Sequence, residues 1–513
     1  MTVALRGGDV LDGLGGPAVR ADVLVRAGVV VAHGTPDTVI DVTGLVVCPG
    51  FVDLHSHSDL TLLSAPRAPS KVRQGVTTEV VGNCGLGVAP IAADVAELRA
   101  AAGYLDLDPA VPLDWQGFGE YLDALAAART SVNVAALVPH LPLHAAAAGW
   151  DDGPADLDRL RGLLAESFAA GAAGVSTGLC YGPLVHAGED ELTAIGAVAA
   201  EHGRVFAWHL RDYGAGLLDA VDEALRVAER TGCRTQLSHL VSVGRKNWGG
   251  VAAALERVDA ARDRGLDVAV DVYPYLAGNA PLSQLLPAWA QNGGADAMKV
   301  RLADPDVRAR VATEWQDLPW TWDEITVSRV PAGPDDAATG RTLAQLGDHP
   351  ADVALDLLHR HGNAVLAVGT GRSEDDLLAA LRHPASVIGS DGLALDPDGP
   401  TGAGQPHPRS YGTYPRLLRD YVGPGRLSLA EAVAKCTSAP AERAGLRDRG
   451  VLAPGRPADI VVLDPAAVAD RATYTDPQRY PGGIALVMVN GTAVVDGRGH
   501  TGARPGSVLR VEE

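Results

Sequence analysis

Lysine is scarce in this chain of 513 residues: of its 43 basic residues only four are lysines, Lys71, Lys246, Lys299 and Lys435. Chemistry that depends on a lysine amine therefore has few places to occur. Positive charge is also outnumbered, with 63 acidic residues and a formal charge of -20. That balance argues against non-specific nucleic-acid binding, which needs basic patches to displace counterions. The five cysteines (Cys48, Cys84, Cys180, Cys233, Cys436) are odd in number and widely spaced, so no disulfide framework is expected and a reducing cytoplasm fits. There is no apolar run of the roughly 18 residues needed to span a bilayer. The N-terminal stretch MTVALRGGDVLDG has no basic segment leading into an apolar one, so no signal peptide is expected. Aromatic residues make up only 4%. Helices are therefore expected to approach sheets closely, through small side chains.

What is abundant is apolar sequence, 47% of the chain, enough for a large core and more than one domain. Residues 1–49 alternate short apolar runs with glycine-rich turns, and ADIVVLDP and ALVMVNGTAVVDG near the C-terminus repeat that style. Asn490-Gly491 between two apolar runs is a strong hairpin signal. One small β-sandwich built from residues 1–49 and 446–513 is expected, bracketing a central domain over 50–445.

In that central part, apolar runs of strand length alternate with stretches of helical spacing. The runs are GFVDLH, VTTEVVGNC, NVAALVPH, AAGVSTGL, RVFAWHL, RTQLSHL, DVAVDVY and ASVIGSD. Eight near-continuous apolar runs separated by helices predict an α/β protein with a closed parallel (β/α)8 TIM barrel. No dinucleotide-binding glycine fingerprint follows any of them, which argues against an open doubly wound sheet. Residues 279–350 break the rhythm and are expected to form an insertion over the barrel mouth.

The chemistry gathers where these runs end. GFVDLHSHSD ends in two histidines one residue apart, which share a face of an extended chain. The second run ends at Cys84, the third at His140, the fifth at His209, the sixth at His239 and the eighth at Asp391. Barrel active sites lie at the C-terminal ends of the strands. Each residue alone is more readily a polar strand end, a small buried thiol or a turn former; it is their concurrence on one rim that points to a metal. Cys84, His209 and His239 make a three-ligand Zn²⁺ set with a fourth position for water. His55, His57 and Asp391 could hold a second, weaker ion. Alternatively, Asp391 is the general base that takes a proton from the water and returns it to a leaving amine. His140 is a candidate oxyanion donor or a structural residue.

Taken together, these segments resemble the D-aminoacylases, or N-acyl-D-amino-acid deacylases, of the amidohydrolase superfamily. GFVDLHSHSD, VVGNCG, STGL, WHLRD, QLSH, NWG, DVYPY, IGSDG and HPRSYGTYPR all resemble that family's motifs, as do TSAPAERAGLRDRGVLAPGRPADIVVLDP and ATYTDPQRYPGGIALVMVNG. The resemblance implies a tight zinc at Cys84, His209 and His239, a weak second site at His55, His57 and Asp391, and hydrolysis of an N-acyl-D-amino acid. It departs from the family in two places. Val241 stands where many members carry lysine, and no arginine follows YPY. Lys246, Arg372 and Arg409, with Tyr275 as a hydrogen-bond donor, are then the candidates for binding the substrate's carboxylate, the alternative for Arg409 being to fix its loop. The missing cations favour neutral or apolar D-amino acids over acidic ones. Two other outcomes stay open: a zinc amidohydrolase acting on a different amide, without a free carboxylate, and a metal-binding barrel without turnover. The expected partner is a small acyl amide, with no nucleic acid and no membrane; self-association is left open.

Overall fold

The structure, a computed structural model, describes residues 1–91, 94–150 and 153–512. All eight expected runs form the strands of one parallel barrel: β1 (Phe51–Asp53), β2 (Val76–Val81), β3 (Asn133–Pro139), β4 (Gly174–Gly178), β5 (Val205–His209), β6 (Arg234–Leu237), β7 (Val268–Val272) and β8 (Ser386–Ile388). They are hydrogen-bonded in chain order except at the seam between β1 and β8. That seam is closed just beyond the strands, by a parallel bridge between Ser56 and Gly392 and by the amides of Asp391 and His57, which donate to the carbonyls of His55 and Gly392. The fold thus brings its first and last metal-competent segments together by backbone bonds.

The strands read as apolar because both of their faces are covered; every residue of β2, β3, β4 and β5 is buried. The helices outside are lined with small side chains. In Leu217–Thr231 the buried face carries Ala220, Ala224 and Ala228, spaced one turn apart, between Leu217, Val221, Leu225 and Val227. Alanine at this spacing lets the helix axis lie close to the sheet without bulky aromatic filling.

Strands from both ends of the chain meet in one nine-stranded sheet. Val46–Pro49 pairs antiparallel with Ile460–Leu463, and Thr2–Val10 pairs on one edge with Val19–Arg26 and on the other with Thr38–Asp41 and then Val46–Pro49. Leu5, Val23, Val47, Ile460, Val462 and Met488 share the core of this unit. Between β7 and β8 a three-stranded antiparallel sheet (Gly278–Pro281, Ile325–Arg329, Leu366–Gly369) has its own core around Val327, Leu343, Leu355 and Leu358. Its third strand lies past residue 350, where the insertion was expected to end. No helix among the described residues is long and apolar enough to cross a membrane.

Candidate metal centre and substrate cavity

Three strand-end residues adopt left-handed backbone conformations: Cys84 (φ 56°), His239 (φ 34°) and Asp391 (φ 52°). Residues other than glycine enter this region at a cost of roughly 1–2 kcal/mol, so tertiary bonds must hold them there. The amide of His239 donates to Asp271 Oδ1 (2.7 Å), that of Asp391 to the His55 carbonyl (2.7 Å), and that of Gly85, next to Cys84, to Ser176 Oγ (2.9 Å). These reversals turn the side chains back towards the barrel axis.

The result is a buried donor cluster. Cys84 Sγ lies 3.2 Å from His55 Nε2 and 3.4 Å from His239 Nε2. Asp391 Oδ1 lies 2.9 Å from His57 Nε2 and 3.5 Å from His55 Nε2. One donor atom each from His55, Cys84, His239 and Asp391 falls within 4.8 Å of the others. His209 stands beside them, its ring 4.6 Å from that of His239 and its Nε2 2.9 Å from the sulfur of Cys180. Five of the six candidate ligands, His55, His57, Cys84, His239 and Asp391, therefore lie together, with the His209 ring beside them and its Nε2 on Cys180.

The electrostatics suit a cation. Burial pushes His57 down to about 4 and His209 down to about 3, and holds His239 well below its ordinary value, so these imidazoles are neutral and keep a free lone pair. His55 is the exception. Burial is the largest effect and lowers it, but the carboxylates of Asp271, Asp391 and Asp53 together raise it more, leaving it above the usual value. Burial would raise Asp391, yet the neighbouring Arg409 guanidinium and the hydrogen bond from His57 hold its carboxyl well below the usual range. Burial drives the Cys84 thiol well up; a cation reverses this, because coordination removes the thiol proton. Neutral imidazoles, a thiol and an ionised carboxylate with little solvent contact fit a zinc centre.

Around this cluster lie further buried charged residues, of which Asp271 was not singled out from the sequence. Asp271, in the middle of β7, accepts from His55 Nδ1 at 3.1 Å and thereby directs His55 Nε2 into the site. Its one signal in the sequence is a carboxylate inside the apolar run DVAVDVY. Arg409 is fully buried; it pairs with Asp391 Oδ2 at 2.7 Å and donates to the hydroxyls of Tyr273 and Tyr104. It fixes the carboxylate as well as its own loop. Beneath the rim, Lys71 is sealed from solvent between Asp53 (2.8 Å) and Glu79 (3.2 Å) and also donates to Ser390 and the Gly392 carbonyl.

A cavity of about 260 Å³ opens over the cluster. Its walls include Leu86, Val241, Val243, Leu282, Leu285 and Trp320, with Arg372 and Tyr273 on one side. Of the residues expected to meet substrate, Arg372 alone is on this wall. Its Nη1 donates to Tyr273 Oη (2.8 Å), and the missing side chain of Gly278 leaves space for its Nη2. Among the described residues it has no carboxylate partner. Arg409 is taken up by Asp391, and the other three lie elsewhere. His140 opens the helix His140–Ala148 and bonds to Thr177 and Glu191, the latter shared with His144. Lys246 is exposed on the turn Arg245–Asn247. Tyr275 is buried and donates to Asp470 at 2.9 Å. Arg211 lines the cavity too, but its guanidinium is taken up by Glu223 and the carbonyls of Val185 and Ala187.

Comparison with known proteins identifies relatives over nearly the whole chain. The model of the amidohydrolase family matches residues 38–495. The chain is 36% identical to an N-acyl-D-glutamate deacylase of Alcaligenes xylosoxydans xylosoxydans, over 99% of this chain and 96% of that protein. It is 34% identical to a D-aminoacylase of the same organism, over 98% and 96% respectively. The crystal structure of an N-acyl-D-glutamate deacylase from Bordetella bronchiseptica, complexed with zinc and a phosphonate mimic of the tetrahedral intermediate, superposes with a TM-score of 0.83 at 34% identity, covering 99% of both chains. With matches of this extent to both the sequence and the fold, the chain belongs to the D-aminoacylase (N-acyl-D-amino-acid deacylase) family of the amidohydrolases.

Proposed function

We propose that the protein is a zinc-dependent deacylase of N-acyl-D-amino acids with neutral or apolar side chains, releasing a carboxylate and a free D-amino acid. The observation that carries this reading is the cavity itself, in which the donor cluster faces Arg372, a cation without a carboxylate partner among the described residues, across apolar walls. A free α-carboxylate supplies the missing charge, which disfavours substrates that lack one. Val241, at the position where the family often carries lysine, is part of the wall, and Asp212 adds negative charge to it. Neither welcomes an acidic side chain. The D configuration rests on the relatives, which include both a glutamate-directed and a general deacylase at nearly equal identity.

Cys84, His209 and His239 would hold the zinc, with His55, His57 and Asp391 as the second, weaker site. Bound there, zinc supplies a Lewis acid for the acyl carbonyl and a source of hydroxide near neutral pH. The chain does the rest. Arg372 orients the substrate by its carboxylate, and the apolar wall excludes water from the acyl and side-chain groups. Arg409 grips Asp391 Oδ2, so Oδ1, on the His57 side, is the oxygen that takes the proton from the attacking water and delivers it to the leaving nitrogen. Asp271 keeps His55 in one orientation throughout.

The test is amine release from paired D- and L-N-acetyl derivatives of Leu, Met, Phe and Glu by zinc-loaded protein. Turnover of the D-isomers of Leu, Met and Phe, with D-Glu at least about tenfold slower, is the expected pattern, the size a charge mismatch in a closed site produces. Preference for D-Glu would overturn the side-chain assignment, and silence across the panel would overturn the activity.

A further inference from the structure

Cys180 has no role in the reading above, yet it sits against the metal centre. Its sulfur is 2.9 Å from His209 Nε2, while the buried His209 Nδ1 has no hydrogen-bond partner among the described residues. Cys180, Cys84, His209 and His239 all line the one cavity. The approach is built into the backbone. The segment 178–180 runs from the end of β4 between the Cys84 loop and the end of β5. Gly178 lies so close to the Cys84 carbonyl that a side chain there would collide with it, and the amide of Leu179 donates to the His209 carbonyl at 3.1 Å. Glycine at 178 is thus required by contact, and the residue two positions on is delivered to the rim.

We propose that Cys180 is a fourth protein ligand of the zinc, so that the substrate-free centre is a closed Cys84, Cys180, His209, His239 set. The inference rests on the zinc reading of the preceding subsection. Two thiolates and two imidazoles satisfy tetrahedral zinc and leave no position for water, as in structural sites. Turnover would then require Cys180 to give up its position to a water, whose proton passes to Asp391 Oδ1 as above, while the freed Cys180 thiolate takes a proton from solvent. Cys180 is only partly buried, which leaves its sulfur room to withdraw into the cavity. The resting enzyme is therefore attenuated, and substrate or water must displace its own ligand.

Cobalt(II) in place of zinc reads the number of thiolates directly, by sulfur-to-metal charge-transfer absorption per bound ion. Full-length wild type is expected to show the absorption of two thiolates and Cys180→Ala about half of it, since soft thiolate ligands give this band and imidazoles do not. Equal absorption in the two proteins would overturn the proposal. A wild type that binds no cobalt through Cys84 would overturn the zinc reading itself, a different result. A second measurement needs no variant. Alkylation of Cys180 by iodoacetamide, followed by mass spectrometry, should be at least about tenfold slower with zinc than without, because a coordinated thiolate is not free to attack. An unchanged rate would overturn the proposal.

Discussion

Replacing Arg372 with methionine separates recognition of the substrate's carboxylate from everything else the cavity does. The side chain is half-buried, and its hydrogen bond to Tyr273 is not unique, because Arg409 Nη1 also donates to that hydroxyl at 2.9 Å. Removal therefore leaves no orphaned polar group, and methionine keeps much of the stem's packing beside Gly278. What is lost is a charge-assisted contact with the ligand. Truncating one partner of a buried charge pair costs about 2–5 kcal/mol, and the lower end applies to a side chain with partial solvent access, so kcat/KM should fall about 30-fold. The assay compares N-acetyl-D-leucine with its neutral carboxamide. The acid should lose the full factor and the amide less than about threefold, since uniform contacts are untouched. Equal losses on both substrates would refute the reasoning and make Arg372 a structural residue.

Cys84→Ala should bind well under one equivalent of zinc, whereas Asp391→Asn should keep the tight ion and lose about 10²–10⁴ in kcat; full zinc in the first, by elemental analysis, would sink the ligand assignment. Asparagine is the cleaner change at 391 because it keeps an oxygen acceptor beside the buried Arg409, which alanine would remove. Lys71→Met strands two buried carboxylates, Asp53 and Glu79, and should lower urea stability by about 3–5 kcal/mol; a loss under 1 kcal/mol would refute the burial of that triad as an ion pair. Burial raises Glu191, but the hydrogen bonds from His140 and His144 lower it more, so its folded pKa lies below the unfolded value near 4.3. Its contribution is present above that value and lost as pH falls through the folded one. Wild type should lose stability on acidification that Glu191→Gln does not, and parallel acid limbs would contradict it. Finally, apo Cys84→Gly should be more stable than apo Cys84→Ala by about 1 kcal/mol, since glycine tolerates φ near 56°; the reverse order in thermal unfolding would show that the position carries no strain.

The strands could be read from the sequence because their apolar continuity is a local property, and the candidate ligands could be nominated because each stands at a strand end. What could not be read depends on partners far apart in the chain. Lys71 meets Ser390 across 319 positions and Tyr104 meets Arg409 across 305, and no periodicity records either contact. His140 shows the opposite error. It ends a barrel run as His209 does, but Pro139 caps a helix there and the ring turns to Glu191 on the helix Glu189–Glu201 rather than to the axis. A strand-end position gives proximity to the rim; the backbone after the strand decides direction.

That distinction explains why the centre is built as it is. At β2, β6 and β8 the chain departs from the strand in a left-handed turn, and the donor sits at the turn itself. Such turns are unfavourable alone, but each is secured by a bond from a different strand: Ser176 on β4 for the Cys84 loop, Asp271 on β7 for His239, and the segment after β1 for Asp391. The donors on one strand are thus oriented by groups on others, so the barrel must be closed before the site exists. Once it is closed, the donors already face one another at 3.2–3.5 Å, and little conformational entropy remains to be lost when an ion arrives. The same logic accounts for Asp271, which bonds both to the His239 amide and to His55 Nδ1. One buried carboxylate couples the two halves of the metal centre, and its removal would release both.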